Sequence, residues 1–492
     1  LQTSTHRRRL PDRTAGAIRD EVMTQRHSDH LSGMRSSMSG MALIIAAGMA
    51  QMLVVIDYTA TAIALPRMAS DFNVSADSLQ WVITGYILSF SIVLAIAGPL
   101  GDRFGRKRLL LLGIVLFGGV SIWVGLASSV IELVVSRIAL GIGAGLLFPL
   151  STAVVSAAMP QSQLPRTMSI LTGVATLGMA IGPVVGGVFT ELIDWRWVFL
   201  INPPISAVAF ILMFLLSTES RNPESVPGRL DYLGIVLLTL GIGGLSIGVA
   251  GLAEQSLTTS ISVIVGSMVT LAAFVWQEFR QDAPLVDLRL LGNRTFAGYL
   301  TGGSLSNACW CVLIFATTLY LQEVQKEDAM TAGFQFLYLS VPVAAAGFLG
   351  PLLQRRVGTR RMLLFATAIQ TAACVIFWMS DVSPWLAIGL LVVGFGCSWG
   401  WSMSQAGGIA TIPQNNVGLA SGSMLTVLIM SGNIAVVVSA TMIKAMGGSE
   451  MADYAPGVSA SYLLALGLAA AGFVATAIIV PRETAKAESR TE

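Results

Sequence analysis

Fourteen stretches of this chain run with almost no charge for about 18 to 25 residues, and each is long enough to cross a hydrocarbon core of about 30 Å as a helix. Eight fall at 41–65, 79–100, 109–128, 131–154, 168–190, 197–216, 232–252 and 261–277; after a polar stretch six more follow at 297–321, 333–353, 362–380, 385–406, 419–444 and 458–481. The chain is 54% hydrophobic and 11% charged, against about 25% charged residues in soluble domains. No water-soluble core absorbs that much apolar surface. The expected class is an all-α polytopic membrane protein with 14 transmembrane helices, and the bilayer is both its solvent and its partner.

The remaining composition narrows what such a protein does. A net charge of +2, with no basic stripe, argues against nucleic acid as a partner. Cys309, Cys311, Cys374 and Cys397 all lie in apolar runs and read as reduced packing residues, not as a metal site or disulfide framework. His6, His27 and His30 lie in the N-terminal tail, which leaves no histidine in a span to carry protons. Residues 1–37 lack the apolar core of a signal peptide, so the first span is expected to act as an uncleaved insertion signal behind a disordered polar tail. The chain opens on Leu1, and Met34 or Met38 is an alternative expected start.

An even number of spans places both termini on one side. Of the 29 Lys+Arg, the loops of the opposite side hold only Arg67, Arg196, Lys326 and Lys444, and Arg137 falls within the fourth span. The other 24 lie on the side of the termini, which the positive-inside rule assigns to the cytoplasm. The expected location is the cell membrane, multi-pass, with both termini cytoplasmic.

The chain also repeats itself. Gly98-Pro99-Leu100-Gly101-Asp102-Arg103-Phe104-Gly105-Arg106-Lys107-Arg108 follows the second span, and Gly350-Pro351-Leu352-Leu353-Gln354-Arg355-Arg356-Val357-Gly358-Thr359-Arg360-Arg361 follows the tenth. Removing spans 7 and 8 from the interval between the two copies leaves six spans with their loops. The expected plan is a tail (1–37), a six-helix bundle (38–217), a linker with an inserted helical hairpin (218–295), a second six-helix bundle (296–481) and a short tail (482–492). Transporters with parallel repeats of this kind bind substrate near the midplane, between the halves.

Gly98 to Arg108 resembles the loop signature of the major facilitator superfamily. Arg137-Ile138-Ala139-Leu140-Gly141-Ile142-Gly143-Ala144 is similar to that superfamily's fourth-helix signature, and Gly178-Met179-Ala180-Ile181-Gly182-Pro183-Val184-Val185-Gly186-Gly187 to its antiporter signature. Asp57-Tyr58-Thr59 with Ala64-Leu65-Pro66, and Trp195-Arg196-Trp197 leading to Asn202-Pro203-Pro204, resemble the fourteen-span drug:proton antiporter branch. Ala62 and Leu140 depart from it, standing where the family usually has asparagine and glutamine. The resemblance implies a major-facilitator fold and proton-coupled efflux of lipophilic or amphipathic drugs or antibiotics, by a chain functional as a monomer. A self-made or lipid-like cargo, or a transport-fold sensor, is the alternative.

Particular residues fill in this picture. Asp57 is the one acid well inside an apolar run, where an ionised carboxylate costs at least about 2.5 kcal/mol unless it finds water, a partner or a proton. Low dielectric favours its neutral form, so it can alternate between proton-loaded and empty; the plainer alternative is a position near the outer interface, in water. Arg137 keeps its charge. It either holds a nearby acid or snorkels to the interface. The first loop copy contains Gly98, Gly101, Asp102, Arg103, Gly105, Arg106 and Lys107, whose bases set topology by positive charge; Asp102 is expected to pair with a base or cap a neighbouring helix. The resemblance implies that this loop latches the two halves. Gly178, Gly182, Pro183, Gly186 and Gly187 allow close helix packing, and the resemblance makes them a mark of export.

Trp81, Tyr86, Asn307, Trp310, Trp399, Trp401, Gln405 and Asn433 could wall an amphipathic pocket, or in part face lipid and the interface. A membrane enzyme needs acids, bases or metal ligands clustered at one depth, and the spans offer one acid, one base and no histidine. No Gly-x-x-x-x-Gly-Lys-Ser/Thr loop is present, so ATP is not the expected energy source. No cofactor is expected beyond the proton gradient. The stretch after Pro481 offers a sensor no obvious output domain.

Overall fold

The computed structural model describes residues 12–74, 79–159, 164–219, 231–252, 256–281, 284–285, 288–379, 383–412, 417–446 and 454–481, with the side chains of 12–39 and of a few later helical positions outside the description. The described backbone holds helices and no strand. The tail residues 1–11 and 482–492 lie outside it. From Asp12 the backbone is helical and continuous with the first span as α1 (Asp12–Phe72), where the sequence led us to expect disorder up to residue 37. No proline interrupts that stretch, so nothing in it blocks the helix from extending backwards.

The first half comprises α1, α2 (Gln80–Phe104), α3 (Arg106–Gly125), α4 (Val130–Ala158), α5 (Leu164–Leu192) and the broken pair α6 (Trp197–Leu200) and α7 (Asn202–Leu216). A hairpin of α8 (Tyr232–Gly251) and α9 (Leu257–Arg280) follows. The second half is α10 (Arg294–Leu319), α11 (Ala329–Gln335) running into α12 (Leu337–Val357), α13 (Thr359–Met379), α14 (Ser383–Ile409), α15 (Val417–Met446) and α16 (Ala455–Ile479). Each of the fourteen expected spans has a helix in its place. Among the described residues twelve helices are long and apolar enough to cross a membrane, or thirteen with α2 counted as one; in α5 the apolar stretch Ile181–Leu192 is shorter than such a span.

Local chemistry sets where these helices begin and bend. Ser129, Ser256, Asn293 and Asp328 cap α4, α9, α10 and α11 by accepting backbone N–H bonds in the first turn. Helix α2 bends by 49° between Gln80–Leu94 and Ile96–Phe104. Pro99 explains the position: it has no N–H for the carbonyl of Ala95, four residues earlier, and its ring displaces that carbonyl.

The helix pairings of one half recur in the other. In the first, α1 packs on α5, α4 and α7, α2 on α4, and α3 on α4 and α7; in the second, α10 packs on α15, α14 and α16, α12 on α14, and α13 on α14 and α16. The halves meet along two seams, α5 against α11 and α12, and α2 against α15. The inserted hairpin lies across the second seam, where Leu238 and Ile242 of α8 share an apolar cluster with Leu88 and Ile96 of α2 and Met430 of α15.

Candidate functional site

The repeated loops close in the same way. Gly105 and Gly358 both have positive φ, 103° and 88°, which a side chain resists, and each donates its N–H to the carbonyl four residues back, Gly101 and Gln354, at 2.9 Å. Two residues further on, a base then caps the last helix of its own half. Lys107 Nζ donates to the carbonyls of Phe214 and Ser217 at 2.8 and 2.5 Å; Arg360 donates to those of Val480 and Ala477 at 2.9 and 3.0 Å. Cations there meet the negative end of a helix.

Asp102 does not bridge the halves among the described residues. It pairs with Arg106 of its own loop at 2.8 Å. The carboxylate that caps the neighbouring helix start belongs instead to Glu219, which accepts from the Lys107 N–H at 3.1 Å and lies 3.7 Å from Arg108. Sequence reasoning missed Glu219 because it sits in a polar linker 112 residues from its partner. Arg103 lies over Phe104, Gly101 is packed against Leu150, and Gly98 faces open space. In the second loop Arg355 stands at the place of Asp102 and is exposed.

Deeper in the first half, Asp57 of α1 and Arg137 of α4 meet. Both are 0% exposed, and Arg137 Nη1 lies 2.5 Å from Asp57 Oδ2. Arg137 Nε donates to the Val82 carbonyl of α2 at 3.0 Å, and the guanidinium lies 4.2 Å from the Tyr86 ring centroid and 5.5 Å from that of Phe199. Neither water contact for Asp57 nor snorkelling of Arg137 describes this geometry. A third residue completes it. Asn202, first residue of α7, donates from Nδ2 to Asp57 Oδ1 at 3.2 Å and to Ser121 Oγ of α3 at 3.2 Å. The sequence placed Asn202 only within a family motif; its partners come from helices 145 and 81 residues away. Ala62 and Leu140 are buried and apolar.

Helix α5 brings its small residues against α1, the helix that carries Asp57. A side chain at Gly178 would strike Met52, at Gly182 Thr59, and at Gly186 Ala60. Gly187 instead faces the other half, against Ala329 and Met330, and Gly333 of α11 lies against the Pro183 carbonyl. Gln322 closes the same end by donating to the Ile63 carbonyl at 2.9 Å.

The proposed pocket residues scatter. Tyr86 belongs to the Arg137 site. Trp399 donates to the Ala346 carbonyl at 3.0 Å inside the second half, and Asn307 to the Leu428 carbonyl at 2.8 Å. Trp81, Trp401 and Gln405 are partly buried. Trp310 lines a cavity of about 10 Å³ between the halves, with Thr59, Ile63, Pro183 and Phe336. Asn433 is buried with no hydrogen-bond partner for either end of its amide among the described residues. The cysteines, read as packing residues, are buried and free, and Cys309 and Cys374 lie 3.6 Å apart across α10 and α13.

The chain matches known proteins over most of its length. It is 30% identical to the lincomycin resistance protein of Streptomyces lincolnensis, covering 88% of this chain and 90% of that one. It is 31% identical to the multidrug resistance protein Stp of Mycobacterium tuberculosis (77% and 72%), and 33% identical to the cephamycin export protein CmcT of Amycolatopsis lactamdurans (71% and 72%). Among solved structures, an auto-inhibited peptide transporter of the POT family superposes with a TM-score of 0.65 at 17% identity, covering 90% of this chain and 98% of that one. A bacterial homologue of the human lysosomal transporter Spinster, inward-facing and unoccupied, gives a TM-score of 0.64 at 14% identity with the same coverage. These likenesses show the fold, and residues 47–436 match the family model itself. The chain is therefore a multi-pass membrane transporter, not an enzyme, and belongs to the Major Facilitator Superfamily.

Proposed function

We propose that this transporter exports lipophilic or amphipathic drugs or antibiotics in exchange for protons, by alternating access, with both termini cytoplasmic and the proton gradient as its energy source. The observation that carries the reading is the sealed Asp57–Arg137 pair. A buried ion pair persists because each charge answers the other; protonating one member removes that attraction and leaves the arrangement free to change. Asp57 takes a proton from the outside, is neutralised, and permits return to the inward-facing state. Release inside restores its charge and its hold on Arg137 or on substrate.

The seam supports the same reading. A drug-sized ligand needs a site of about 300 Å³ or more, and the cavity beside Trp310 is about 10 Å³. At this place on the seam, loading would take a separation of the halves. The Trp310 ring, with Thr59 and Ser340 beside it, suits an amphipathic guest. The similarity to proteins named for cephamycin export and lincomycin resistance also favours a second reading, in which the physiological cargo is a self-made metabolite.

In inverted membrane vesicles Asp57→Asn is expected to abolish proton-driven accumulation of a transported compound, whereas full retention of coupling in that variant would sink the proposal. A panel of lipophilic dyes, lincosamides and β-lactams, tested in cells with and without an uncoupler, identifies the cargo; export that survives collapse of the gradient excludes proton antiport.

A further inference from the structure

We propose that Asn202 is the positioning residue that reads the charge of Asp57, turning its side-chain amide through a half-rotation as the carboxyl gains or loses its proton. The inference rests on Asp57 being the group that carries the exchanged proton. Its basis is a three-residue chain linking three helices, Asp57 on α1, Asn202 on α7 and Ser121 on α3, with both links at 3.2 Å.

In the structure the amide nitrogen lies within hydrogen-bond distance of two acceptors, a carboxyl oxygen of Asp57 and the hydroxyl of Ser121. The opposite end, Oδ1, is buried with no hydrogen-bond partner among the described residues. Protonated Asp57 becomes a donor and no longer needs that N–H. A carboxamide has an oxygen with two lone pairs and a nitrogen with two hydrogens, nearly equal in size, so a half-turn swaps them with little change in shape. Oδ1 then accepts from the Asp57 O–H and from the Ser121 hydroxyl, which donates as readily as it accepts. In both proton states the end of the amide turned toward Asp57 and Ser121 is paired with both, and the far end has no partner among the described residues.

A leucine of similar size satisfies neither, and a fixed donor satisfies only the ionised state. The wrong end facing Asp57 sets lone pair against lone pair, or hydrogen against hydrogen, and leaves the buried carboxyl unpaired by the amide; that penalty ties the orientation of the amide to the charge of Asp57. Few other groups compete for this role. Among the described residues, the charged or titratable groups facing Asp57 are Arg137 from α4 and Tyr86 from α2. From α3 and α7, among the described residues, it meets Ser121, through Asn202, and Asn202 itself. Tyr58, next in sequence, faces Cys311 of α10 instead.

The test is infrared difference spectroscopy on the full chain in detergent, titrated from alkaline to acid pH without substrate. The carboxylic C=O stretch of Asp57 is assigned by its loss in Asp57→Asn, and the Asn202 amide band by asparagine isotope labelling and its loss in Asn202→Leu. The expected result is an Asn202 amide band that shifts with the same midpoint as the Asp57 band. Ser121→Thr keeps the shift and Ser121→Ala diminishes it. In vesicles, Asn202→Leu is expected to slow proton-driven exchange by roughly ten- to a hundredfold, the worth of a hydrogen bond to a charged group. An Asp57 band that titrates while the amide band stays still overturns this proposal and leaves the exchange reading intact. No titrating Asp57 band at any pH overturns both.

Discussion

Asp57 and Arg137 are equally buried, but only one of them can lose its charge where it sits, and this asymmetry predicts different pH behaviour for their variants. Asp57→Asn strands a guanidinium that does not deprotonate. Its bond to Val82 and its contacts with the Tyr86 and Phe199 rings exist already in the parent chain, so they offset nothing new. Breaking a buried pair in this way costs about 3–5 kcal/mol, with no dependence on pH from this site. Arg137→Met strands a carboxylate, which escapes by binding a proton. Protonating a carboxyl of ordinary affinity at pH 7 costs about 4 kcal/mol, so the two variants lose similar stability there.

Their pH profiles then separate. The folded Arg137→Met protein holds one proton more than its unfolded chain, so its stability rises as pH falls, by about 1.4 kcal/mol per unit down to the ordinary carboxylate range. Between pH 7 and pH 5 it is expected to recover about 2.7 kcal/mol. Unfolding in mixed detergent micelles, followed by circular dichroism at several pH values, measures this difference. The double variant, with neither charge, is expected to be more stable than either single one. Parallel pH profiles for the two single variants, or a double variant whose loss is their sum, would refute the reasoning.

Two other predictions concern the ends of the helices. Gly105→Ala places a side chain at φ 103°, in the space occupied by the Glu219 carboxylate; a loss of about 1–2 kcal/mol is expected, and restoration of stability by an added Glu219→Ala change would show that the clash rather than the backbone dominates. Asp328 lies in the loop before α11, and its bonds from the Thr331 N–H and hydroxyl hold its carboxyl below the usual carboxylate range. A lowered folded value means that the cap is present above the ordinary carboxylate range and lost as pH falls through the folded value; Asp328→Ala is expected to raise hydrogen exchange in α11 at neutral pH and to leave it unchanged at strongly acid pH.

Much of this molecule was legible without coordinates, and the reason is locality. A span is about twenty consecutive residues, and its apolarity is a property of that segment alone; hence the helices lie where the apolar runs do, from 41–65 to 458–481. The turn at Gly105 and its copy at Gly358 are also local, and their shared spacing announced two related halves. Asp57 and Arg137 stood out for the same reason, as single charges inside apolar segments.

Which groups answer those charges was not local. Arg137 reaches a residue 80 positions away, Asn202 one 145 away, and Glu219 a loop 112 away. One-dimensional patterns picked out Asp102, which pairs with Arg106, and passed over Glu219 and the partners of Asn202, because a polar residue in a linker or at a helix start looks ordinary until its neighbours are known. The sequence by itself determined the solvent, the helices and the repeat, since each follows from the free energy of a short segment in lipid. Only the tertiary structure decided that Asp57 meets Arg137 and Asn202, because a hydrogen bond depends on the positions of atoms that packing, and not chain order, brings together.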